Sequence, residues 1–255
     1  MSKVSVKTVA LTVFGLDLLG IIIAISRAII LDRSPMRYFG ENGYMTWFST
    51  LQLLVAAFLC GQIATIRTRA FRSRHYSFFK RPQVFWWLAS AGMAFFALDE
   101  TLEIHENLDK SIHRWLGIQS TSISGRLDDF IVLFYAGLGL LAIYTFRREL
   151  SKYRMSLSWF VWGLGFSFLT ICLDMLGHSR ETFTYFADNL EQLNKIHHWV
   201  GAIEEMPKIL AGGAFIVTLY ACKLIAKNIG DRYRISPKSK VKLAKTSSPD
   251  SELGD

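Results

Sequence analysis

The sequence predicts an all-α polytopic membrane protein, a bundle of six transmembrane helices with both termini on the cytoplasmic side. Three observations predict it. The 255 residues are 51% hydrophobic and 14% aromatic, with a mean hydropathy of +0.26, too apolar for an ordinary water-soluble domain. Apolar runs lie at 9–31, 44–66, 83–105, 128–146, 157–177 and 201–225, and each approaches the ~20 residues that a helix needs to cross hydrocarbon. The cationic residues gather in alternate connections, which by the positive-inside rule places those connections in the cytoplasm.

The first run is too long for the apolar region of a signal peptide and contains Asp17, so it reads as a retained span. Lys3 and Lys7 precede it. Arg67, Arg69, Arg72, Arg74, Lys80 and Arg81 fill the connection after the second run, and Arg147, Arg148, Lys152 and Arg154 follow the fourth. Eight further Lys and Arg residues follow from Lys223 onward. The net charge of +8 is therefore a topology signal that meets anionic lipid. Without aromatic interleaving or a recognition motif, it does not point to nucleic acid.

The outer connections are then 32–43, 106–127 and 178–200. Asn42-Gly43 marks a turn in the first. Ile112, Trp115 and Leu116 give the second an interfacial stripe, and Phe183, Phe186, Leu190 and Leu193 give the third a short amphipathic helix. Residues 1–227 form one transmembrane domain in this reading. Residues 228–255, rich in Lys, Ser and Pro, form a disordered tail. Cys60, Cys172 and Cys222 are scattered through the spans and suit packing better than metal binding.

Chemistry enters where the third run ends in Asp-Glu-Thr-Leu-Glu-Ile-His-Glu, residues 99–106. An ionised acid costs about 2.5–3.5 kcal/mol near the centre of an inserting helix, so acids within spans have partners and tasks. Asp99, Glu103 and Glu106 share one stripe if the helix is continuous. On the assigned topology, Asp128 and Asp129 open span four, Asp174 and His178 close span five, and His197, His198, Glu204 and Glu205 open span six, all on the outer side. The expected metal ligands are Asp99, Glu103, Asp174, His178, His197 and Glu204, with Glu205 and Asp129 as catalytic acid–base groups. Carboxylate with imidazole suits zinc, iron or manganese, and a metal-bound water is a nucleophile at neutral pH.

Leu98-Asp99-Glu100 and Asp174-x-x-x-His178 resemble, in style, the ceramidase- and adiponectin-receptor-like intramembrane zinc hydrolases. The paired His-x-x-x-His of their last helix is absent here, as are HExxH and paired Glu-x-x-His motifs.

The leading expectation is a metal-dependent, hydrolase-like enzyme of the plasma or inner membrane, acting on a lipid or amphiphile. A proton- or cation-coupled transporter is the alternative. So is a sensor or assembly protein whose cluster is a salt-bridge network, with Lys208 pairing Glu204 at i, i+4 and Arg126 and Arg180 as further counter-charges. Acids that simply mark a helix end, as at Glu100 and Glu106, and acids that cap one, as at Asp128, are the plain readings beside these. Pro207 is expected to kink span six.

Overall fold

The computed structural model describes residues 4–40, 42–71, 81–116, 127–177, 183 and 189–246, with the side chains of a few of these, including 105, 106, 109, 127–129, 175–177 and 232–246, left aside. Among the described residues there are helices and no strand. In chain order they are α1 (Val6–Ile30), α2 (Met36–Phe39), α3 (Tyr44–Phe71), α4 (Pro82–Leu102), α5 (Ile104–Leu116), α6 (Leu127–Thr145), α7 (Arg147–Leu150), a 3-10 turn (Ser151–Ser156), α8 (Leu157–Gly177) and α9 (Leu190–Thr246).

Local chemistry sets the helix ends. Ser5 caps α1, its hydroxyl accepting from the Thr8 amide at 3.1 Å. Asn189 caps α9 in the same way through the Gln192 amide at 2.8 Å. Pro82 stands at the start of α4, where a missing N–H costs nothing. Among the described residues, four helical segments are long and apolar enough to cross a membrane: Val6–Ile30, Met36–Ala70, Arg147–Asp174 and Leu190–Asp231. They carry the expected first, second, fifth and sixth runs. The third and fourth runs become α4, whose 21 residues include Gln83, Ser90, Asp99 and Glu100, and α6, a 19-residue helix that opens with Asp128 and Asp129 and is otherwise apolar.

Two expected boundaries move. The third run does not continue to residue 105, because Glu103 adopts a left-handed φ of 50° and separates α4 from α5. That conformation costs an L-residue of this kind about 1 kcal/mol or more. It is held by Asn107, whose side chain donates to the Leu102 carbonyl at 2.9 Å. Glu106 therefore belongs to α5 and not to the stripe of Asp99. At the other end, α9 absorbs the expected sixth span, runs through Pro207 unbroken and stays helical to Thr246, across much of the stretch expected to be a disordered tail. The Lys, Arg and Ala residues there are good helix formers.

Helix α9 is the hub. It packs against α1, α2, α3, α8 and the 3-10 turn, while α3 and α4 form the tightest pair. Small residues line the seams: Ala24 and Ala28 of α1 and Ala202 of α9 are buried together with Ile21, Tyr38, Phe39, Met45 and Ile209. A second cluster joins Ala56, Leu59, Cys60, Ile63 and Ala64 of α3 to Trp86 of α4, Tyr153, and Ile216, Leu219 and Cys222 of α9. The opposite faces of α1, α6 and α8 expose Leu11, Ile22, Phe134, Leu141, Trp162 and Phe168, as helices bathed in lipid do.

A buried ion pair closes one end of the bundle. Arg67 of α3 is 0% exposed and Glu149 of α7 is 5% exposed; Nε and Nη2 of Arg67 meet the two carboxylate oxygens at 2.7 and 2.8 Å. Lys152 Nζ adds a contact at 2.6 Å and the Tyr153 hydroxyl donates to Glu149 Oε1 at 3.1 Å. Tyr153 in turn packs edge-on to Trp86, with ring centroids 5.1 Å apart. Breaking a buried pair leaves an uncompensated charge. Arg67→Ala is expected to cost about 3–5 kcal/mol of stability, read as a lowered unfolding midpoint in mild detergent. Arg67→Met combined with Glu149→Leu is expected to recover most of it.

Candidate functional site: a carboxylate–lysine cluster over a buried acid

The end of the bundle opposite Arg67 carries the acids. Lys208 of α9 lies between two carboxylates, with Nζ 3.0 Å from Glu100 Oε1 on α4 and 2.5 Å from Glu205 Oε2 one turn earlier on its own helix. Ser49 of α3 donates to Glu100 Oε1 at 2.9 Å. Thr50 and Thr101 form the next rung between α3 and α4, their hydroxyls 3.3 Å apart. Glu100, Glu205 and Lys208 are 17%, 23% and 33% exposed, so these charges are partly withdrawn from water.

Both surprises at this site follow from helix geometry. Lys208 pairs with Glu205 and not with Glu204, because Glu100 draws its ammonium onto the α3–α4 side of α9. Positions 205, 208 and 212 share that side, and Glu204 is turned by about 100° from Glu205. Glu100, read as a plain helix end, is the group that ties α4 to α9.

Among the described residues, the predicted ligands do not form one set. Asp99 is 7% exposed; Phe95 and Phe96, one turn earlier, pack on Tyr135 of α6 with centroids 5.3 and 6.0 Å apart, and Tyr135 lies within electrostatic reach of Asp99. Glu103 is the left-handed residue that ends α4. Asp174 is exposed near the end of α8, close enough to Glu204 and Glu205 for the three carboxylates to repel one another. His197 is exposed on α9, two turns before Glu204. His178 and the side chain of Asp129 lie outside the described residues. Among the described residues, no three His, Cys, Asp or Glu side chains stand close enough to hold a metal ion. Glu205, expected to be a free base, is engaged by Lys208.

One turn deeper lies a pair whose role was not read from the sequence. Asp17 of α1 is 0% exposed and accepts a hydrogen bond from Gln52 Nε2 of α3 at 2.8 Å. Gly212 and Gly213 of α9 make the room: a Cβ on the first would overlap Gln52 Oε1, and on the second Asp17 Oδ2. Ser49 and Gln52 are i, i+3 on α3, and Glu205, Lys208 and Gly212 are i, i+3, i+7 on α9. The buried pair therefore lies beneath the ion cluster on the same two helix faces, at roughly 4.5–6 Å further along each axis. The paired glycines in an apolar span and the amide at Gln52 were the signals in the sequence.

A family model described as Domain of unknown function (DUF8692) matches residues 6–222. The chain belongs to that family. The DUF8692 match runs from the first turn of α1 to Cys222 of α9, so it contains Asp17, Ser49, Gln52, Glu100, Glu205 and Lys208 and leaves out the last stretch of α9. Comparison with curated proteins and with solved structures gives no match.

Lys208→Met would strand two carboxylates and is expected to destabilise the protein by about 3–5 kcal/mol. The double variant Lys208→Met with Glu100→Gln is expected to be less destabilised than the sum of the two single variants. A double-mutant cycle on thermal unfolding reads this coupling, expected at about 1 kcal/mol or more.

Proposed function

We propose that the chain is a six-span protein of the plasma or inner membrane with both termini in the cytoplasm. It takes up protons at its outer face and converts the uptake into a change of helix packing, as the working part of a proton-coupled carrier or a membrane sensor does. The observation that carries this reading is the stacking of the Ser49–Glu100–Lys208–Glu205 cluster on the buried Asp17–Gln52 pair, a column of polar groups that enters the bundle from one end and stops on an acid. Acids, amides and hydroxyls in series within spans are the materials of proton relays. The apolar cluster of α3, α4 and α9 lies between that column and Arg67, so a permanently open channel fits poorly. A carrier resting with one side closed, or a sensor read from outside, fits well. Membrane lipid is the surrounding partner in either case.

A test is hydrogen exchange on protein reconstituted in liposomes, with the inner pH fixed and the outer pH stepped between 8 and 5 (about three decades of proton activity). After correction for the intrinsic pH dependence of amide exchange, protection of α1 and α9 peptides is expected to change with outer pH in the parent and to change far less in Glu205→Gln. Identical protection at both values in the parent would overturn the reading.

A second reading, a metal-dependent hydrolase-like enzyme acting on a lipid or amphiphile, is favoured by one observation. Asp174 of α8 approaches Glu204 of α9, and His178 follows one turn after Asp174 in the sequence. Zinc, iron or manganese would suit such donors, with Asp99, Glu103 and His197 as the further ligands expected from the sequence. Elemental analysis of a chelator-free preparation is expected, on this reading, to give stoichiometric metal in the parent and none in Asp174→Asn. Absence of metal from the parent would remove it.

A further inference from the structure

We propose that Asp17 and Gln52 form a proton-binding site, a carboxylic acid–carboxamide pair in which the bound proton sits on Asp17 Oδ2 and is donated to Gln52 Oε1. This deepens the proton-handling reading, on which it rests for its role, by naming the residue where the proton resides.

The argument is an accounting of donors and acceptors. Gln52 Nε2 donates to Asp17 Oδ1 at 2.8 Å. Two oxygens of the same pair, Asp17 Oδ2 and Gln52 Oε1, are buried without a hydrogen-bond partner among the described residues. Both press on consecutive residues of α9, since Oε1 occupies the space of a Cβ at Gly212 and Oδ2 that of a Cβ at Gly213. An ionised Asp17 leaves both oxygens without a donor and the charge without a counter-ion, and burial of that kind is costly. One proton removes the whole deficit. The carboxylate takes up H⁺ at Oδ2, the new O–H donates to Oε1, and the existing N–H to Oδ1 bond closes a two-bond ring between acid and amide.

The charges on the helices packed against the pair lie a turn or more along their axes. Lys208 is five residues from Gly213, about 7.5 Å of rise, with Glu205 and Glu204 beyond it. Lys7 and Arg27 on α1 are each ten residues from Asp17, and Arg67 on α3 is further still from Gln52, about 15 Å or more of rise in each case. Two adjacent glycines inside a helix each cost up to about 1 kcal/mol relative to alanine. Here they keep the space for the acid–amide ring, and they let α1, α3 and α9 meet at one point. Loss of the proton would place a bare carboxylate at that meeting point, which is how the site would reach the helix packing.

The test is infrared difference spectroscopy on the reconstituted full-length protein, with Asp17→Asn and Gln52→Met compared. In Asp17→Asn the new side-chain amide supplies the missing donor, so this variant keeps the ring without a titratable group. The expected result is a protonated-carboxyl C=O band at neutral pH that shifts in heavy water, disappears in Asp17→Asn and moves in Gln52→Met, where the acid loses its amide partner. A parent spectrum without that band, or one unchanged in both variants, overturns the proposal. Thermal unfolding in sodium and in choline chloride supplies a second reading. A midpoint raised by sodium in the parent and not in Asp17→Asn would make the ligand a metal cation and would also overturn it. A band that is present but does not respond to outer pH supports the proton site while removing the proposed function, so the two fail separately.

Discussion

The ammonium of Lys208 holds the acidic end of the bundle together. It reaches Glu100 on α4 and Glu205 on α9, and Ser49 on α3 completes the contact, so three helices converge on one charge. In a hydrocarbon surrounding, apolar faces gain little by leaving lipid for one another, and helix association depends on close packing and on polar groups that have to find partners inside the protein. The same constraint acts at the other end, where Arg67 and Glu149 bind α3 to α7 in a pair withdrawn from water. Between these two polar ends the chain supplies small residues and glycines where helices cross, and bulky apolar residues where they face outward.

Helix α9 is placed at the centre by this arrangement. It contributes Glu205 and Lys208 to the ion cluster, Gly212 and Gly213 to the space around Asp17, and Ile216, Leu219 and Cys222 to the apolar core. Those positions advance along one side of a single helix, so the three layers are rigidly spaced relative to each other. On the proposed proton-handling reading, a change in protonation at a polar layer would act on how α9 seats against α1 and α3. That coupling needs no long conduit of side chains, only one helix shared by all the layers.

Lys208 stands between Glu100 and Glu205, so these two carboxylates are matched by a cation and form an ion cluster. The other acids divide by helix. Asp99 lies within electrostatic reach of Tyr135 on α6, Glu103 ends α4 in a left-handed conformation, and Asp174 lies within electrostatic reach of Glu204 on α9. What the bundle gathers most fully is a series of hydrogen-bonding groups graded in burial, from partly exposed Lys208 to wholly buried Asp17.

Much of the helical framework was legible in the amino-acid sequence, because apolar runs, caps and breakers act over a few residues and the chain states them directly. The long apolar helices follow from those runs, and acids and lysines near their ends mark where polar chemistry gathers. The break at Glu103 and the continuity of α9 were not legible. The first depends on a side-chain cap from Asn107 across a left-handed residue, and the second on a helix that runs through Pro207 while packed against α1, α3 and α8. Pairing was decided only by the tertiary structure. That Lys208 answers Glu100 and Glu205, that Glu149 answers Arg67, and that Asp17 meets Gln52 on a glycine step depends on which helix faces come together. Those faces belong to residues far apart in the chain, and no local pattern specifies their meeting.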